Sequence, residues 1–327
     1  MLENIEKEAP NVDSITVVRN GVIVLDVYFH YHKADTPHAI QSCTKSIMSI
    51  LIGIAIDQKY IKDTHLPVVS FFPEKRFANL DERKKAMTLE HLLMMASGLK
   101  CQSSWKYGWK GLHEMMKQED SVQYILDLPM EEYPGTRFEY SNNGSFLLSA
   151  IIQKTTGLKT LAFARQHLFN PLGIDDVHWN TNRQGIETGY GGMYLKPRDM
   201  TKIGYLSLKM GQWEGRQIVS KDWMETSTRK HIDTNMPSGS DYGYQWWVLP
   251  NTDTYMAIGY NGQYICVVPQ KNLVVVLTSD HMGSARTAGK LFGAYIKPAV
   301  ESDTALPSAP EANHKLSTLL KKYTTSQ

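Results

Sequence analysis

Ser42-Cys43-Thr44-Lys45-Ser46-Ile47-Met48-Ser49-Ile50-Leu51-Ile52-Gly53-Ile54-Ala55-Ile56-Asp57-Gln58 is the stretch on which the reading of this chain turns. It is apolar on nearly every side of a helical projection, which predicts a helix buried all round rather than a surface helix with one apolar stripe. Its longest apolar run, Ile47 to Ile56, is too short to cross a bilayer. At its start a Ser and a Lys stand at i and i+3, on one helical face and close enough to interact. A Ser hydroxyl is a poor nucleophile until a base removes its proton. A Lys can be that base when burial or a neighbouring cation lowers its pKa. The first turn of a helix also presents backbone N–H groups and the positive end of the dipole, which can form half of an oxyanion hole. The Ser-x-x-Lys spacing recurs at Ser97/Lys100, Ser103/Lys106 and Ser227/Lys230. Only Ser42 opens a strongly apolar helix, the setting that desolvates its Lys. The competing reading is an ordinary N-cap serine.

On the N-terminal side, Ser14–Arg19 and Val22–Phe29 are rich in Val and Ile and flank Asn20-Gly21, the strongest local signal for a β-hairpin. On the C-terminal side, helical patterns dominate at about 88–96, 111–127, 143–156, 160–169, 197–210 and 220–228. Strands return at Tyr242–Leu249, Thr254–Ile258, Gln263–Pro269 and Leu273–Thr278, and a helix follows at about 285–297. Strands at both ends bracketing a helical middle predict an α+β fold. An antiparallel sheet built from both termini is flanked by helices, with residues 1–59 and 241–300 forming the sheet domain. Residues 60–240 form an inserted, mostly helical domain. Residues 301–327, with a short amphipathic segment at Asn313–Tyr323, read as a peripheral tail.

Four segments follow one another in order: Ser42-Cys43-Thr44-Lys45; Thr88-Leu89-Glu90-His91-Leu92-Leu93-Met94-Met95-Ala96-Ser97-Gly98-Leu99; Pro134-Gly135-Thr136-Arg137-Phe138-Glu139-Tyr140-Ser141-Asn142-Asn143; and Gly191-Gly192-Met193-Tyr194-Leu195-Lys196-Pro197-Arg198-Asp199-Met200. This order and spacing resemble the serine β-lactamase and penicillin-binding protein superfamily, most nearly its esterase and 6-aminohexanoate-dimer hydrolase-like branch, over about residues 14–298. The superfamily pattern is S-x-x-K, then S-D-N or Y-x-N, then K-T-G or a variant on an edge strand. Tyr140-Ser141-Asn142 matches the second element and is the sole Y-x-N in the chain. The resemblance implies that Tyr140 shuttles a proton with Lys45 as general acid and base, and that Asn142 hydrogen-bonds substrate and Lys45. A phenol beside an ammonium is expected to have a lowered pKa, so that it can accept the Ser42 proton or activate the deacylating water. Its competing reading is a loop tyrosine with a satisfied hydroxyl. The third element departs from the pattern. Gly259-Tyr260-Asn261-Gly262-Gln263 stands at the aligned position, so Tyr260 replaces the usual Lys and cannot supply its charge to a substrate carboxylate. Gly262 is expected to allow close backbone approach, and the Gln263 N–H to be the second oxyanion donor. A rival match, His281-Met282-Gly283, follows the last strand and reads as a loop.

Other signals are weaker. Asymmetry of charge is slight, +2 from 35 basic and 33 acidic residues, which argues against nucleic acid or a polybasic membrane surface as partner. Three cysteines, Cys43, Cys101 and Cys266, are too few for a disulfide framework and fit a reducing compartment. With no basic-then-apolar leader in view, the expected location is cytoplasmic. His30 and His32 at i and i+2 on a strand would share a face and could hold zinc, but they fall short of a metallo-hydrolase pattern and no later His cluster completes a site. No metal or organic cofactor is needed by the expected chemistry. His91 reads as a core or capping histidine, and Cys43 as small-residue packing rather than a reactive thiol. Trp105, Tyr107 and Trp109 form an aromatic loop that either walls a substrate cleft or packs. Trp246 and Trp247 alternate faces, so at most one faces the cleft. The resulting expectation is a serine hydrolase acting on a small ester or amide through an acyl-enzyme on Ser42. The alternatives are a true β-lactamase or D,D-peptidase acting on a lactam or peptide, and a catalytically silent binding protein.

Overall fold

The computed structural model describes residues 9–30, 32–100, 110–236, 239–280, 284–302, 307 and 309–324. In chain order the strands are β1 (Val12–Arg19), β2 (Val22–Tyr28), β3 (His38–Ala39), β4 (His178–Trp179), β5 (Met193–Leu195), β6 (Gln212–Trp213), β7 (Arg216–Gln217), β8 (Ile232–Asp233), β9 (Asp241–Tyr242), β10 (Trp247–Val248), β11 (Tyr255–Gly259), β12 (Gln263–Val268) and β13 (Leu273–Ser279). One antiparallel sheet runs β2-β1-β13-β12-β11-β10-β9-β8, so both ends of the chain build it, as the sequence predicts. The β1/β2 hairpin turns at Asn20 (φ 51°) and Gly21 (φ 80°), both in the left-handed region that an Asn-Gly turn demands.

Both faces of this sheet are covered. Side chains alternate along a strand. Val274 and Val276 of β13, with Ile265 and Val267 of β12, join one apolar cluster. Leu273, Val275 and Leu277, with Cys266 and Val268, join another, shared with Ala288, Leu291 and Phe292. On the first face lies helix Pro197–Leu208. A Cβ on its Gly204 would come within 2.5 Å of Val274, so glycine sets the closeness of that approach. Helix Cys43–Asp57 is buried from Cys43 to Ala55, as its all-round apolarity predicts, and packs on helix Asn142–Thr156. A three-stranded sheet, β3-β5-β4, ties the segment before Ser42 to the segment around Met193. The tail forms helix Pro310–Thr324, which packs on β2. Among the described residues no helix is long and apolar enough to cross a membrane.

Three expectations need correction. The helix expected at 111–127 is two, Lys110–Lys117 and Ser121–Leu126, because Asp120 accepts a hydrogen bond from Gln123 N and caps the second. The strand expected over Tyr242–Leu249 is broken into β9 and β10, with Gln245 at φ 63° between them. The third motif does not lie on an edge strand: β11 and β12 are interior.

Candidate active site

Gln41, at φ 50°, turns the chain sharply into Ser42. Ser42 sits at the N-cap of helix Cys43–Asp57 with φ −68° and ψ −6°, yet its side chain makes no capping bond. The ordinary-cap reading is therefore set aside. Its hydroxyl accepts from Lys45 Nζ at 3.1 Å and is hydrogen-bonded to the Tyr140 hydroxyl. Lys45 is 1% exposed and also donates to Asn142 Oδ1 and the Tyr190 carbonyl, each at 2.8 Å. A neutral lysine has two hydrogens and one lone pair. The amide and carbonyl oxygens can take the two hydrogens, which leaves the lone pair for the Ser42 proton. Of the other Ser-x-x-Lys pairs, Lys230 is bound to Asp233 and Asp241, and Ser103/Lys106 lies outside the described residues.

The second motif divides its labour along the backbone. Ser141 caps helix Asn142–Thr156 by accepting from Gly144 N, which leaves Asn142 to reach Lys45 and Tyr140 to stand before the helix. The Tyr140 ring lies 4.8 Å from Lys45 Nζ and stacks at 5.8 Å on Trp247. Burial pushes the Tyr140 phenol up, and the Ser42 hydrogen bond only partly offsets this. The expected lowering by a neighbouring ammonium is thus overturned: desolvation dominates, and Lys45 approaches the ring. Trp247, Tyr242 and Phe138 continue an aromatic wall beside Tyr140, whereas Trp246 is buried in the main core.

Gln263 begins β12, and its carbonyl accepts from the Cys43 thiol at 3.5 Å, so the third motif lies against the residue that follows Ser42. Gly262 (φ 92°) and Asn261 (φ 63°) form the turn before it. At Gly259, just before this turn, a Cβ would lie 2.6 Å from the Ile40 carbonyl, so glycine lets the turn approach the segment before Ser42. Tyr260 is 45% exposed beside this turn. Arg198, the described cation that could have replaced the missing Lys, is held by Asp26 through Nε at 2.8 Å and NH2 at 2.6 Å. Trp105 and the rival His281 lie outside the described residues. Burial pushes the Cys43 thiol up, which suits packing rather than reaction. His91 caps its own helix, its Nδ1 accepting from Thr88 N at 3.0 Å.

Two participants escaped the sequence reading. The Tyr190 carbonyl holds Lys45, and a backbone oxygen has no residue signature; the adjoining Gly191-Gly192 was the available hint. Gln245 is the other. It accepts from Ser46 Oγ at 2.7 Å and from Ser145 Oγ at 2.7 Å, and donates to the Leu93 carbonyl through its backbone N at 3.0 Å and Nε2 at 2.8 Å. One buried residue thereby stitches together the helices carrying Ser42, His91 and Asn142.

A buried Ser–Lys helix set against an antiparallel sheet defines a serine hydrolase scaffold. The chain belongs to the Beta-lactamase family, whose model matches residues 5–296. It is 24% identical to the 6-aminohexanoate-dimer hydrolase of Paenarthrobacter ureafaciens over 82% of this chain and 72% of that one. In structure it resembles EstCE1, a hydrolase with promiscuous acyltransferase activity, with a TM-score of 0.77 at 15% identity over 92% of this chain and 96% of the other. It also resembles the octameric penicillin-binding protein homologue from Pyrococcus abyssi, with a TM-score of 0.73 at 20% identity over 90% and 76%.

Proposed function

We propose that this protein hydrolyses an uncharged carboxylic ester or amide through an acyl-enzyme on Ser42. The observation that carries the reading is a hydroxyl that caps nothing and instead lies 3.1 Å from a buried lysine nitrogen. Lys45 in its neutral form takes the Ser42 proton as the hydroxyl attacks the carbonyl carbon. Tyr140, kept as a phenol by burial, gives its proton to the leaving group as it takes one from Lys45; in deacylation it takes a proton from the attacking water as it hands its own to Lys45, which returns one to Ser42 Oγ. The backbone N–H groups of Ser42 and Gln263 hold the oxyanion. Asn142 orients Lys45 and the substrate.

Neutral substrate is favoured by Tyr260 at the third motif, by Arg198 being engaged with Asp26, and by the aromatic wall of Tyr140, Tyr242 and Trp247. The relative named for 6-aminohexanoate dimer supports an amide as the bond cleaved and does not bear on the absence of charge. These features speak against a β-lactamase or D,D-peptidase specialised for anionic substrates, and the Ser42–Lys45–Tyr140 contact speaks against a silent binding protein. Buried free thiols at Cys43 and Cys266 support a reducing, cytoplasmic location. The test is labelling with a fluorophosphonate probe: wild type should label and Ser42→Ala should not. Equal labelling of both would remove Ser42 from the reading.

A further inference from the structure

Asp13 occupies a bulge. The β1/β13 register shifts between Val12, opposite Ser279, and Ser14, opposite Thr278, which leaves Asp13 as the extra residue. Bulges re-aim a side chain, and here one carries a carboxylate into the interior, 3% exposed. It meets two imidazoles. Asp13 Oδ1 lies 3.4 Å from His32 Nε2, and Asp13 Oδ2 lies 3.0 Å from His38 Nε2. The rings are 4.8 Å apart, and one donor atom from each of the three residues falls within 4.8 Å of the others. His30, the residue that sequence spacing paired with His32, is not part of the group: β2 ends at Tyr28, and His30 at φ 61° turns its Nε2 to the Pro10 carbonyl.

This cluster is poorly explained as ion pairing alone. Asp13 Oδ2 and His38 Nε2 are buried and face each other at 3.0 Å, yet among the described residues neither makes a hydrogen bond. Buried polar atoms left so are costly. A cation held between the carboxylate and the two imidazoles would satisfy both atoms. Neighbouring ligand atoms around a tetrahedral ion at bond lengths of about 2.0–2.1 Å are separated by about 3.3 Å; each imidazole stands at about that distance from one oxygen of the carboxylate, and with one ligand atom per residue the three lie within 4.8 Å of one another, a spacing that a bound ion would tighten.

We propose that Asp13, His32 and His38 bind one divalent transition-metal ion, zinc(II) foremost, which clamps the segment leading into Ser42 onto the first strand of the sheet. His38 lies on β3, and Ile40 N bonds the Met193 carbonyl just beyond it. Val12 pairs with Ser279, whose carbonyl accepts from the Gln263 side chain. A single ion would thus tie the nucleophile's approach segment to the strand register that holds Gln263. Its role is to hold the backbone, and the proposed hydrolytic steps do not pass through it.

Chelator-stripped protein titrated with Zn²⁺ by calorimetry, with metal content measured after desalting, tests this. Wild type and Ser42→Ala should each take up one ion, a result independent of the hydrolase reading. Zn²⁺ should raise Tm, and Co²⁺ in its place should give the visible bands of a low-coordinate site. In Asp13→Asn and His32→Gln the affinity should fall by at least about 100-fold, since even outer-shell changes cost roughly 10–100-fold, and the Tm rise should vanish. Should Asp13→Asn not fold, the less buried His32→Gln decides. No uptake by wild type, or unchanged affinity in His32→Gln, overturns the proposal.

Discussion

Lys45 and Lys84 are both sealed from solvent, at 1% and 0% exposure, and each donates to three acceptors. Lys84 gives its hydrogens to the carbonyls of Ala78 (2.8 Å), Leu126 (2.7 Å) and Leu128 (2.7 Å). All three partners are main-chain acceptors with no proton to give, so the site is a lock on the end of helix Ser121–Leu126. Lys45 replaces one carbonyl with the Ser42 hydroxyl, a group that can both accept and donate. Burial is common to both; a protic partner is what makes one of them a candidate base.

Lys45→Met breaks the comparison most severely. It should lower kcat/KM per folded molecule by about 10³–10⁴-fold, because general-base removal costs rates on this scale. Steady-state kinetics beside a thermal melt checks it, and a loss below tenfold would put the base elsewhere. Lys84→Met should do the reverse. Activity per folded molecule is retained, while unfolding stability drops by about 3 kcal/mol as three buried carbonyls lose their donor. Burial holds the Lys84 ammonium below the ordinary lysine value. Between that lowered value and the unfolded one the denatured chain binds more protons, so wild-type stability relative to Lys84→Met should rise with pH through that window. Urea melts at a series of alkaline pH values read the slope; a falling difference contradicts it. Tyr140→Phe is the mildest of the three, a loss of about 10–100-fold in kcat/KM. Since burial raises the Tyr140 phenol above its usual range, the wild-type profile should show no phenol titration below about pH 10 that Tyr140→Phe abolishes.

The contrast also marks what a sequence can convey. Ser42 and Lys45 were legible because spacing and an all-round apolar helix act locally. Tyr140-Ser141-Asn142 was legible only through its resemblance to the second superfamily element; that Ser141 caps the helix and so directs its two neighbours is added by the structure. The Lys45–Tyr190 bond and the Asp13–His32–His38 group were not, because each depends on strand pairing that brings distant segments together. The direction of the Tyr140 shift was misjudged for a related reason: desolvation is a property of everything packed around a side chain, not of the nearest charge. The split at Asp120 was readable as a helix cap but was outweighed by apolar periodicity on both sides of it.

Gln245 carries a consequence for the order of synthesis. Ser46, on the helix of the candidate nucleophile, is bonded to a residue 199 positions further along the chain. At about 5–20 residues per second, translation reaches Gln245 roughly 10–40 s after that helix has been made. Until then the Ser42 and Asn142 helices lack this shared fastener, and Gln263 of the third motif is not yet made. A product truncated before Gln245 lacks both this bond and the Gln263 N–H, and should accordingly be inert toward the fluorophosphonate probe.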